Sequence, residues 1–174
     1  AETGIGAVKG HALDEAGGWR LIPEGRMDTL VAGLAHLKDS TIERFPRLQL
    51  ARVYHLIKQG KVDVARGSYD AFRATVNRAT LHADLRTEAD LVGDVLSEYE
   101  DAPVTLEDLL GKEALIRSLP SHDHLMLSNV CESLGAEYFN CGWLERALEP
   151  IRRAGRHHRA MGSLYGELFT RFLE

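Results

Sequence analysis

Four groups of residues in this chain have types and spacings that could do chemistry. His122 and His124 stand two apart around Asp123, with Cys131 downstream, the tidiest metal-like spacing present. A structural zinc site asks for four ligands, and alternate residues at a helix start do not share a face. No metal centre is therefore expected. His157 and His158 lie in a basic stretch with Arg152, Arg153, Arg156 and Arg159. This reads as a solvated helix C-terminus whose cations complement the backbone dipole, with a patch for an anionic partner as the alternative. Cys131 and Cys141 would need a base and an orienting group to act as nucleophiles, and core packing is the simpler expectation. Glu98, Glu100 and Asp101 form an acidic cluster at a helix end, read as solvated rather than as an acid/base pair. No nucleophile, base and oxyanion donors converge, so the chain is not expected to be an enzyme.

The elements that carry these residues read as helices throughout. Leu50, Val53, Tyr54 and Ile57 fall at i, i+3, i+4 and i+7, as do Val92, Val95, Leu96 and Tyr99, and Leu144, Ala147, Leu148 and Ile151. No period-2 strand or Asn-Gly hairpin signal occurs. The predicted helices are 4–16, 19–37 with a break at Pro23 to Gly25, 41–45, 46–59, 62–78, 84–100, 105–118, 122–140, 143–158 and 163–174. Ser40 with Glu43 reads as a capping box, Thr105 with Asp108 as its weaker version, and Pro120-Ser121 as a stop followed by a cap. Pro150 falls inside a predicted helix, where it removes the bond to the Arg146 carbonyl, and a kink is expected there.

A longer period overlies the helical one. Gly18, Gly60, Asp101 and Gly142 mark expected turns separated by 42, 41 and 41 residues. Regular spacing of this size marks a helical solenoid, in which single hairpins cannot bury their own apolar faces and must stack. The last hairpin is the best formed: Leu134-Gly135, Tyr138, Gly142, Ala147, Ile151 and Ala154 follow the tetratricopeptide (TPR) pattern. Gly135 and Ala147 would let two helices approach, Gly142 would make the tight turn, and Tyr138 and Ile151 would fill the space between them. Trp19 and Trp143 follow equivalent turns and are expected to seal hairpin contacts. The expected fold is all-α, a TPR-like right-handed superhelix of stacked antiparallel helical hairpins forming a single domain over 1–174.

Three stretches carry a family likeness. "RFPRLQLARVYHLIKQGKVDVAR" at 44–66, "AGGWRLIPEG" at 16–25 and "NCGWLERALEPIRRAGRHHRAMGSLYGE" at 140–167 resemble the helical-repeat region of MalT-like, LuxR-family ATP-dependent transcriptional regulators. The resemblance implies a central sensor region, a piece of a larger regulator, that receives a small-molecule effector or a regulatory protein. ATP and DNA would then be bound only through other domains. No G-x-x-x-x-G-K-[ST] phosphate loop or basic recognition helix occurs in this chain, and no cofactor is expected in it. The alternative is a general TPR-like adaptor for protein–protein interaction.

In a TPR-like superhelix the first helix of each hairpin lines the concave face. Spacing from the turns places Arg47, Leu50, Tyr54, Ile57 and Lys58 on that face in one hairpin, and Asn129, Glu132, Ala136, Phe139 and Asn140 in another. The groove expected from these positions rests chiefly on Arg47, Tyr54, Lys58, Asn129, Glu132, Phe139 and Asn140, a mixture of charge, amide and aromatic that suits a polar ligand or a peptide.

Bulk properties agree with a binding role away from nucleic acid. A formal net charge of −5 gains nothing from phosphate neutralisation, which dominates affinity for DNA. The 174 residues suffice for a substantial core. Two cysteines make no disulfide framework, which suggests a reducing, cytoplasmic setting. No apolar run approaches the roughly 20 residues of a membrane helix. Apolar ends of a cut solenoid make self-association an expected property.

Overall fold

The computed structural model describes residues 4–15, 18–21, 25–77 and 79–174. The expected break at residues 23–24 and the side chain of Trp19 lie outside the description. The described residues are helical, with no strand among them. In chain order the helices are α1 (Gly4–Glu15), α2 (Met27–Ala35), α3 (Asp39–Ile42), α4 (Pro46–Lys58), α5 (Val62–Thr75), α6 (Ala83–Tyr99), α7 (Leu106–Ser118), α8 (His124–Asn140), α9 (Leu144–Ala160) and α10 (Leu164–Leu173). A 3₁₀ turn covers Gly18–Leu21 between α1 and α2. None of the described helices is long and apolar enough to cross a membrane.

The four periodic turns share one backbone feature. Gly18, Gly60, Asp101 and Gly142 all adopt positive φ, at 51°, 71°, 53° and 76°. Asp101 is the one non-glycine described with positive φ, and a short polar side chain is what that region tolerates. Gly60 and Gly142 close their helices in the same way. The Lys61 N–H donates to the Leu56 carbonyl at 3.0 Å and the Trp143 N–H to the Tyr138 carbonyl at 2.8 Å, the long bond of a Schellman C-cap. Gly162 repeats it after α9, with the Ser163 N–H donating to the His158 carbonyl at 2.9 Å. The chain thus reverses after α4, α8 and α9 by one mechanism.

At the helix starts the structure corrects two expectations. Thr105 and Asp108 do form a capping box, the Thr105 Oγ1 accepting the Asp108 N–H at 3.2 Å and the Asp108 carboxylate accepting the Thr105 N–H at 2.9 Å. Ser40 instead lies inside α3, with Lys38 at the N-cap position. Asp123, not Ser121, caps α8 through the Met126 N–H at 3.2 Å, because the chain first turns through a bond from the Asp123 N–H to the Pro120 carbonyl. α9 runs unbroken through Pro150. Burial of Ala147, Ile151 and Ala154 on one face holds the helix on both sides of the proline.

The chain divides into two compact units, the first holding α1 to α6 and the second α7 to α10. In the first, α4 is central. Leu48, Leu50, Ala51, Val53 and Ile57 are fully buried against Ala65 and Phe72 of α5 and Leu91, Val92 and Leu96 of α6. The Tyr69 hydroxyl crosses from α5 to donate to the Ala89 carbonyl at 2.8 Å, over Gly93, where any Cβ would collide with it. Glu88 of α6 is also buried, and the Arg47 guanidinium meets it at 3.0 Å.

In the second unit α8 is central, with α7 and α9 packed against it and α10 on α9. A Cβ on Gly135 would lie 2.5 Å from Ile151 Cγ1 and 3.3 Å from the Ala147 carbonyl oxygen, so glycine there sets the closeness of α8 and α9. Tyr138 and Ile151 are buried beside it, as expected for the hairpin. Asp101 begins this unit, so its turn closes no hairpin within either one.

Candidate ligand cleft

The residues expected to line a groove separate into different environments. In the first unit Arg47 is held by Glu88. Tyr54 is buried in the core with its neighbours Leu50 and Ile57, because the stripe 50, 53, 54, 57 is the packing face of α4; its assignment to an open groove is corrected. Lys58 sits between two rings, 5.3 Å from the Tyr54 centroid and 5.1 Å from that of Tyr99, and donates to the Tyr99 hydroxyl at 3.2 Å. In the second unit the Asn129 amide donates back to its own helix, to the Leu125 carbonyl at 2.8 Å. Glu132 pairs with the buried His158 at 3.0 Å. Phe139 and Asn140 are exposed at the end of α8.

A cleft does exist in the second unit, with a volume of about 330 Å³, and none of those seven residues lines it. Three helix faces build it. α7 contributes Glu113, Ile116 and Arg117, and α8 contributes Cys131, Leu134 and Tyr138. α9 contributes Glu145, Arg146, Glu149, Pro150 and Arg153. Each set follows helical spacing, so one face of each helix turns inward. The volume falls at the lower end of small-molecule sites.

The floor is apolar and the rim carries both charges. Burial pushes the Cys131 thiol up to about 11, against the opposing pull of Arg153. That thiol stays protonated near neutrality and is a poor nucleophile. The Tyr138 hydroxyl donates to Glu113 at 2.6 Å, and burial together with that acceptor raises its pKa. Its ring also meets that of Trp143, with centroids 5.8 Å apart, across the α8–α9 turn. The Arg146 guanidinium lies 5.2 Å over the Trp143 ring.

Two groups in the cleft lack their usual protein partners. Arg153 is half-buried and forms no ion pair among the described residues. Pro150 has no N–H, so the Arg146 carbonyl loses its usual i+4 donor within α9. Sequence reasoning placed Arg153 only in a basic patch and Pro150 only at a kink. The i, i+4, i+8 spacing of Glu145, Glu149 and Arg153 was the legible signal for a shared face.

Beyond the cleft, histidines join the two helices of the hairpin. His124 Nδ1 lies 3.0 Å from His157 Nδ1, so one ring donates and the other accepts. His122 is exposed, and among the described residues no three ligating side chains could hold a metal ion. Burial, then the charges of His124, Arg153, Arg156 and His158, lower the His157 pKa. The unfolded chain therefore protonates more readily at this residue than the folded one. Its contribution to stability is present above the ordinary histidine range and lost as pH falls through the depressed folded value. Urea midpoints at about pH 7.5 and about pH 5 should show the fold weakening on acidification, with His157→Gln losing less than the wild type. An equal loss in both proteins would assign the acid sensitivity elsewhere.

Compared with protein-family models, curated proteins and solved structures, the chain matches none of them.

Proposed function

We propose that this chain is a TPR-like sensor region of a LuxR-family transcriptional regulator, and that its effector site is the cleft between α7, α8 and α9. The single observation that carries the site is the cleft itself, in which Arg153, with no ion pair among the described residues, stands over the buried Ile116, Cys131, Leu134 and Pro150. A small zwitterion would suit this rim, its carboxylate meeting Arg153 and its ammonium meeting the Glu145 or Glu149 carboxylate. The superhelical arrangement and the family rest on the sequence likeness and on the repeated left-handed turns. In this reading, ATP and DNA are handled by other domains of the regulator.

Calorimetry and thermal shift with free amino acids and dipeptides test the site. A ligand at 100-fold its dissociation constant is expected to stabilise the wild type by about 2.7 kcal/mol. Arg153→Ala should abolish the shift while leaving the unliganded fold in place. No shift with any member of the set, or an equal shift in the variant, would remove the cleft from the proposal. The adaptor reading is favoured by a different observation. Phe139, Trp143 and Leu144 cluster around the α8–α9 turn at 54%, 42% and 57% exposure, as an anchor for a protein partner would.

A further inference from the structure

We propose that the outer face of α10 docks a second copy of this chain, the two α10 helices lying antiparallel across a two-fold axis. α10 has two faces of opposite character. The inner one is built from small residues that seat it closely on α9: a Cβ on Gly166 would lie 2.1 Å from His158 Nδ1, and Thr170 Oγ1 stands 3.0 Å from where a Gly155 Cβ would be. The Ser163 hydroxyl accepts the Gly166 N–H at 3.2 Å and caps the helix. These contacts hold α10 in place.

The outer face is large, apolar and uncovered. Leu164, Tyr165, Leu168, Phe169 and Phe172 are 68%, 57%, 58%, 39% and 85% exposed. Leu164, Leu168 and Phe172 follow one another at i, i+4 and i+8, the row that packs into the groove of a neighbouring helix. Shifted back by the 41-residue period, Leu168 and Phe172 fall on Leu127 and Cys131, both buried in α8 within its hairpin with α9. The surface thus occupies the place of a helix seat.

Area and charge point to a second copy as the occupant. An aromatic side chain carries about 150–250 Å², so the stripe offers on the order of 600 Å². Two stripes face to face would bury roughly 1,200 Å², the lower bound for a specific association. An isologous contact needs a self-complementary surface. No residue of the stripe is charged, and beside it Glu167 is already held by Arg159 at 2.9 Å and Arg171 at 2.8 Å. Two copies meet without like-charge conflict.

Sedimentation equilibrium of the chain from micromolar concentration up to about a millimolar tests this. The wild type should dimerise, and Phe172→Glu with Leu168→Glu should weaken the dimer at least ~100-fold, as loss of a central apolar anchor does. Phe172→Ser should weaken it by less, since it removes area without adding charge. Far-UV circular dichroism should show unchanged helix content, because both residues are exposed in the single copy. A monomeric wild type, or a dimer indifferent to these substitutions, would overturn the proposal.

Discussion

Replacing Lys112 by methionine is expected to destabilise the second unit by about 3–5 kcal/mol, the cost of removing one member of a buried ion pair. Lys112 reaches from α7 to α8, where its ammonium donates to Ser133 Oγ at 2.9 Å and to Glu137. Both charged side chains are only 7% exposed. Methionine keeps the length and most of the volume of the lysine stem, so the loss reports the charge and not a cavity. The double variant Lys112→Met, Glu137→Leu should recover most of that loss, because an apolar pair of similar volume replaces a buried ion pair at little cost. Urea unfolding of each protein, followed by tryptophan fluorescence in a Trp19→Phe background so that Trp143 alone reports, measures both. A single-variant cost below about 1 kcal/mol, the range of exposed pairs, would mean that water reaches this one.

Gly135→Val should cost about 3 kcal/mol for a different reason, overpacking of a close helix contact. Valine is the better helix former, by a few tenths of a kcal/mol, but its Cβ would meet Ile151 Cγ1 at 2.5 Å and the Ala147 carbonyl oxygen at 3.3 Å. The isoleucine can turn aside; the carbonyl moves only if α9 moves. Ile151→Ala alone should cost about 2–5 kcal/mol, since that side chain is buried and would leave a cavity. Together the two substitutions should cost at least about 1 kcal/mol less than their sum, each relieving the other. Strict additivity would show that α8 and α9 are not held apart by this contact.

Much of this architecture was legible before any coordinates. Apolar residues at i, i+3 and i+4 located the helices because a helix stripe depends only on neighbours within two turns. The left-handed turns were legible for the same reason: glycine at 18, 60 and 142 relieves a steric conflict inside its own residue. The capping box at Thr105 needs only the residue three positions on. Gly135 facing Ala147 followed from the hairpin's short turn, which sets the register between the two helices.

Other features were decided only when helices met. Tyr54 fits equally well as the aromatic of a groove or as part of the stripe 50, 53, 54, 57, and packing against α5 and α6 put it inside. The turn at Asp101 has the same backbone as those at Gly60 and Gly142, yet it falls where one unit gives way to the next. Lys112 and Glu137 are 25 residues apart, and nothing in their types distinguishes them from solvated surface charges. The cleft draws on three helices at once, so its lining could not be read from spacing to one turn. Local chemistry thus determined the helices and the way the chain reverses between them. Which polar groups are dry, and which are left facing a cavity, depends on distances between residues far apart in the chain, and only tertiary packing sets those distances.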